Sequence, residues 1–417
     1  MTLVLPLLIV VAGLPSVSFA QAKKPFAIPS ERAGASGPVD ILVARTTFAD
    51  SDDPSVSRHS EEDLREMLSG LDAFLEWQSY GSVDLGKIEF AETVELRKCE
   101  EYGIVEDERT GKTKRKRNIA GDALAALRES RDVDPLEEFD SVFFLIEKKS
   151  EGVRLSSGAA AVSVLDGRGV TFFGKRPGWR IAAHEFGHNM GHAHARSILD
   201  LSGTSVVPSL ENARYVTYGD PFSPMGHGKH SYNLVEKVRK GWIALDGDAP
   251  RHVAEAVKGI HRVTAYDRPD ATGVLGLFAD LRLGLRMLDE KKRRRRGQVV
   301  EIPDDLGTQR AWISILSSEP FDGEAPGFAA EPRLLIHVSG IEGPERRLGI
   351  HGLLDTTPGP GELAADVGGR ERRERIADTG LRVGQRVALR LESGQDFVVG
   401  FEEFDRKSGV ARVRITR

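Results

Sequence analysis

Along the first 247 residues the spacing of apolar positions changes repeatedly, and each spacing predicts an element. The run Val39-Asp40-Ile41-Leu42-Val43-Ala44 predicts a strand near 39–46. Helical spacing over 62–78, closed by Ser79-Tyr80-Gly81, predicts the first helix. Shorter strands are expected at 83–90 and 92–96, and a second helix at 118–129. Asp140-Ser141-Val142-Phe143-Phe144-Leu145-Ile146 contains a continuous apolar stretch, as in a central strand covered on both faces. Gly158-Ala159-Ala160-Ala161-Val162-Ser163-Val164 is small and extended. Trp179, Ile181, Ala182, Phe186 and Met190 recur about three to four residues apart, which predicts a half-buried helix. Ser231 is placed to cap a further helix over 232–240 that stops at Gly241-Trp242.

From 248 onward the pattern turns to short β-like runs at 311–316, 333–338, 386–391, 397–401 and 410–415, broken by Gly, Pro and Asp. Such a series predicts an all-β region folded as a sandwich. A chain of 417 residues exceeds what one core usually supports, so two domains are expected. The expected class is α/β (α+β) over 38–247, a twisted mixed sheet with helices, followed by an all-β domain over 248–417.

A charged fraction of 29% beside a hydrophobic fraction of 40% belongs to a soluble globular protein. The net charge of −5 argues against a nucleic-acid partner. Cys99 is the single cysteine, which excludes an intrachain disulfide. The apolar run 3–14 is too short to span a bilayer comfortably and precedes Ser18-Phe19-Ala20, a small-x-small cleavage site. Residues 1–20 are therefore expected to be a signal peptide cut after Ala20, leaving a secreted or periplasmic chain with no stable membrane span. Because no Lys or Arg precedes the apolar run, an uncleaved anchor is the alternative. Residues 21–37, rich in Ala, Pro, Ser and Gly, read as a linker.

The chemistry is concentrated in His184-Glu185-Phe186-Gly187-His188-Asn189-Met190-Gly191-His192-Ala193-His194, which has the spacing HExxHxxGxxH. On a helix, positions four apart share a face, so His184 and His188 can present imidazole nitrogens to one metal ion. Glu185 follows the first ligand and is directed toward a water beside that ion, a position suited to a general base. Gly191 falls where the helix should end, since glycine takes the left-handed turn without steric cost and lets His194 return as third ligand. Three protein ligands leave a position open for water, as in catalytic zinc sites, whereas structural sites are closed by four. One zinc ion is the expected cofactor, and calcium sites are not legible. His192 points away from the ligand pair and reads as an ordinary polar residue.

HExxHxxGxxH resembles the signature of the metzincin metallopeptidases, whose second mark is a methionine-containing turn. Downstream, Tyr218-Gly219-Asp220-Pro221-Phe222-Ser223-Pro224-Met225-Gly226 is similar to the YGDxxxxMG segment of the gametolysin-like family, with Met225 as the Met-turn residue. The strand near 39–46, the helix ending in Ser79-Tyr80-Gly81, and Gly241-Trp242 after a helix extend the likeness over 38–247. Two C-terminal segments, 353–359 and 378–385, look like parts of β regions in bacterial relatives of that family. The resemblance implies a zinc endopeptidase acting on protein or glycoprotein substrate, with His184, His188 and His194 as ligands and Glu185 as base. In metzincins an edge strand in this neighbourhood pairs with the substrate main chain, which makes 158–164 a candidate for that role; the other reading is an ordinary inner strand. Some metzincins carry a tyrosine two residues after the methionine. Here that position is His227, readable as a weak extra ligand, as an oxyanion donor, or as a surface histidine. His230 receives no role.

Cys99 lacks the proline-flanked pattern of the prosegment cysteines that silence secreted metzincins and reads as a lone, partly buried thiol. Basic runs at 112–117, 291–296 and 370–375 read as solvated loops, with contact to an anionic polysaccharide or membrane surface, or cleavage by another protease, as the functional readings. Two other functions stay open: a catalytically silent binding or adhesion protein that keeps the metal site, and a hydrolase of non-peptide amides in cell-wall polymers. Retention of Glu185, which metal binding alone does not need, argues against the first.

Overall fold

The computed structural model describes residues 36–50, 60–102, 104–107, 112–115, 119–146, 159–165, 168–173, 178–200, 205–207, 213–228, 230–245, 247–283, 309–317, 321, 331–340, 351–356 and 379–417. The expected signal peptide, nearly all of the linker, and the basic runs at 291–296 and 370–375 lie outside them.

In chain order the first half contains β1 (Gly37–Phe48), α1 (Glu61–Ser79), β2 (Val83–Phe90), β3 (Val94–Leu96), β4 (Ile104–Asp107) and β5 (Lys112–Arg115). It continues with α2 (Ile119–Glu129), α3 (Pro135–Glu138), β6 (Ser141–Ile146), β7 (Ala159–Leu165), β8 (Arg168–Phe173) and α4 (Trp179–Asn189). After β9 (Arg196–Asp200), β10 (Ala213–Val216) and α5 (Leu234–Arg239) come strands alone. They are β11 (Arg251–Glu255), β12 (Gly259–Thr264), β13 (Gly273–Leu281), β14 (Gln309–Leu316), β15 (Arg333–Gly340), β16 (His351–Leu354), β17 (Arg386–Arg390), β18 (Asp396–Asp405) and β19 (Val410–Thr416). The architecture is mixed α/β.

The first sheet runs β2-β1-β6-β8-β7, with β3 also on β1. Its pairings are parallel except for β7, which lies antiparallel to β8 at the edge. Both faces are covered because β1 alternates. Val39, Ile41 and Val43 join a core with Leu64, Met67, Leu68, Leu71, Phe74 and Leu75 of α1 and with Ala182, Ala183 and Phe186 of α4. Leu42 and Ala44 point the other way, onto Ala123, Leu124 and Leu127 of α2. Burial of each large α1 side chain contributes about 1.5–3 kcal/mol, so α1 is a fixed floor for α4. The helix begins with a capping box between Ser60 and Asp63 and ends at Tyr80, in the left-handed conformation at φ 59°.

The strands after α4 form a seven-stranded sheet, β10-β9-β16-β15-β14-β13-β11, and a four-stranded sheet, β12-β19-β18-β17. Residue parity divides the larger sheet. Ala311, Ile313 and Ile315 of β14 and Leu334, Ile336 and Val338 of β15 share a core with Val399, Phe401, Val413 and Ile415 of the smaller sheet. Their neighbours Trp312, Leu316 and Leu335 pack instead into the core of α1 and α4. The larger sheet is thus buried on both faces, which explains its apolar runs. The strands β9 and β10 come from the stretch between α4 and the expected Met-turn. They nevertheless complete the sheet of the C-terminal half through parallel pairing of β9 with β16.

Several elements depart from expectation. The helix expected over 232–240 is capped not by Ser231 but by Asn233, whose side chain accepts from Glu236 N in a capping box. Ser231 is drawn elsewhere: its hydroxyl donates to Gln78 Oε1 at 2.7 Å, and the Tyr232 amide donates to the same oxygen at 2.9 Å. Lys112–Arg115, expected as a loop, pairs with Ile104–Asp107 as a hairpin. Among the described residues no helix is long and apolar enough to cross a membrane.

Candidate metal centre

The helix α4 buries Ala182, Ala183 and Phe186 against α1 and leaves His184 and His188 half-buried. Met190 closes it in the right-handed region, and Gly191 follows at φ +85°. A Cβ on Gly191 would meet nothing within 4 Å, so glycine is required there by backbone angle and not by space. The His192 amide donates to Gly187 O at 2.8 Å, which reverses the chain and returns His194 to the helix face.

His184, His188 and His194 each offer a ligand nitrogen, all within 4.8 Å of one another. His188 Nε2 and His194 Nε2 are 3.0 Å apart. Tetrahedral zinc with bonds of about 2.0–2.1 Å needs nitrogens roughly 3.4 Å apart, so the set fits such an ion with small adjustment. His184 Nδ1 donates to Pro224 O at 2.7 Å and His188 Nδ1 donates to His192 O at 2.8 Å. A carbonyl can only accept, so these contacts put the proton on Nδ1 and leave each Nε2 lone pair available, the usual outer-shell arrangement of ligand histidines. Burial pushes the His184 imidazole below its ordinary value, partly offset by the Pro224 carbonyl. Burial likewise lowers His188, to about 4, against the opposing His192 carbonyl. Both are therefore neutral near pH 7, the form that ligates. Glu185 is buried on the same helix.

Met225 packs underneath. It is fully buried, its carbonyl accepts from Ala195 N at 2.9 Å, and its Sδ lies 2.3 Å from where a Cβ on Gly187 would be. Gly187→Ala must therefore displace Met225, at an expected cost of about 1–3 kcal/mol read by urea denaturation; a variant as stable as its parent would show that this contact is not tight.

Asp220 anchors the segment before Met225. Its Oδ1 accepts from Phe222 N at 2.9 Å and Ser223 N at 3.2 Å, and its Oδ2 accepts from His337 Nε2 of β15 at 3.1 Å. Burial pushes the Asp220 carboxyl up, but His337 and the two amides outweigh it and hold it below its ordinary value. Asn233 Nδ2 joins the group, donating to Asp220 Oδ2 at 3.3 Å and to His351 Nε2 at 2.9 Å. No family model matches this chain, and no curated protein does. The likeness to metzincins consequently rests on the residues of the motifs themselves.

His227 lies outside the three-histidine set; it is exposed, and its Nδ1 donates to the Tyr218 carbonyl. His192, expected as an ordinary polar residue away from the ligand pair, is buried in the core with its ring 5.1 Å from that of Tyr232. His230 is also buried, against Phe222. The residue that sequence reasoning passed over is Tyr218, whose ring centroid is 3.7 Å from that of His194 and 5.7 Å from that of His184. Burial, and then the Glu185 carboxylate, raise its phenol above the ordinary value. Its sequence signal was its place at the head of the YGDxxxxMG segment, where a tyrosine before Gly-Asp reads as part of a tight turn and carried no assigned role.

Proposed function

We propose that this chain is a secreted zinc-dependent endopeptidase similar to the metzincins, in particular to their gametolysin-like branch. The observation that carries the reading is the convergence of three imidazoles on one point, two of them neutral and oriented by backbone carbonyls, with Glu185 on the same helix. Bound there, zinc would supply Lewis acidity to a water and to a substrate carbonyl. Glu185 takes the proton of the attacking water and passes it to the leaving amine. Met225 supports the helix from below, and the Pro224 carbonyl holds His184 in its tautomer. The antiparallel edge strand β7 is the place where an extended substrate main chain adds to the first sheet. In this reading the first half is the metzincin-like catalytic domain and the strand-rich half braces it as a sandwich.

The direct test is cleavage of casein by purified protein, with metal analysis. One zinc per chain is expected, with cleavage lost to a chelator and restored by added zinc. Zinc binding without any cleavage would favour a silent binding protein, and release of cell-wall fragments without peptide cuts would favour the amide hydrolase.

A further inference from the structure

Tyr218 holds an uncommon backbone conformation for no evident folding reason. At φ 62° it is one of two non-glycine residues with positive φ among those described. The other, Tyr80, is a helix cap, where that conformation is ordinary. Tyr218 follows a strand instead, in a turn closed by Gly219 N on Val216 O at 3.0 Å. Gly219 admits no side chain, since a Cβ would lie 2.7 Å from Val216 O and 2.8 Å from Ser197 N. Left-handed strain in a non-glycine residue persists only where the surroundings impose it, and it gathers at functional sites. Here the surroundings are Gly219 in its tight corner and His227, which grips the Tyr218 carbonyl while its own amide donates to Asp220 O at 2.9 Å.

The result is a ring turned over the imidazoles of His194 and His184. A phenylalanine would stack there equally well. Three other tyrosines, Tyr80, Tyr102 and Tyr232, place their hydroxyls on partners within the protein. The Tyr218 hydroxyl has no hydrogen-bond partner among the described residues, and its side chain is only half-buried. The open coordination position at a three-histidine centre is where the carbonyl oxygen of a scissile bond acquires negative charge.

We propose that Tyr218 is a catalytic residue whose hydroxyl donates a hydrogen bond to that oxygen as charge develops, and that His227 is the positioning residue that holds it there. The assignment rests on the zinc-peptidase reading. It also gives His227 a different task from ligand or donor: it acts through Tyr218.

The test compares wild type with Tyr218→Phe by zinc content, by kcat and KM, and by affinity for a phosphinic analogue of the peptide bond cut in casein. Such an analogue carries the tetrahedral, charged oxygens of the transition state. Expected for Tyr218→Phe are unchanged zinc, near-unchanged KM, kcat lower by about 10²-fold, and phosphinic affinity weakened to a similar degree. Equal phosphinic affinity in the two proteins would overturn the role of Tyr218 while leaving the peptidase reading intact. A wild type that neither cleaves nor binds the analogue would overturn both.

Discussion

Glu185→Gln is expected to bind zinc at the wild-type stoichiometry and to lose about 10²–10⁴-fold in kcat, the range that a positioned general base contributes. The amide keeps the shape of the carboxylate but cannot take a proton near pH 7. Zinc should be indifferent to the change, because the three nitrogens that can hold it belong to His184, His188 and His194. The helix should also tolerate it, since Gln and Glu have similar helix propensities. Glu185 is only 6% exposed, so a change there is felt locally. Metal analysis separates the roles: a variant that loses zinc would show that the carboxylate orients the ligands. A variant that keeps zinc and cleaves casein at the parental rate would remove Glu185 from the mechanism. KM is the secondary readout and should move little, because the base acts on water and not on bound substrate.

The difference between these outcomes traces to what was local in the chain. All candidate ligands and the candidate base fall within eleven residues, and one helix followed by one left-handed glycine brings them together, so the spacing alone was informative. The apolar run of β6 likewise announced a central strand buried on both faces. What escaped was set by distant partners. Ser231 is a good cap by composition, yet Gln78 claims its hydroxyl across 153 positions, and the cap passes to Asn233. Nothing near β9 indicates that it joins a strand at 351–354. Tyr218 was missed because a turn residue and a site residue look alike until the backbone angle is known. His337, a lone histidine in an apolar strand, reads as an unremarkable interruption until Asp220 is seen 117 positions away.

That last pair yields the second large effect. His337→Ala should cost about 3–5 kcal/mol, the penalty for stranding a buried charge by deleting its partner. Asp220 and His337 are both fully buried, so no water replaces the lost donor cheaply. In the wild type the Asp220 carboxyl lies below its ordinary value, so its contribution is present above the unfolded carboxyl value and is lost as pH falls through the folded one. Without His337 the carboxyl loses the partner that lowers it most and rises toward its ordinary value. The variant therefore gains less than wild type from ionisation of Asp220, and its deficit against wild type is smallest in acid. Urea denaturation from about pH 4 to 8 measures this; parallel curves would refute the coupling. His337→Ala with Asp220→Asn removes the stranded charge and should recover part of the loss. Zinc affinity should fall too, by about 10–100-fold. Asp220 fixes the turn whose Pro224 carbonyl orients His184 and whose Met225 carbonyl receives the amide beside His194. Through that chain of contacts the strand-rich half of the molecule holds the three-histidine cluster in shape, so damage at β15 should be legible in metal content as well as in stability.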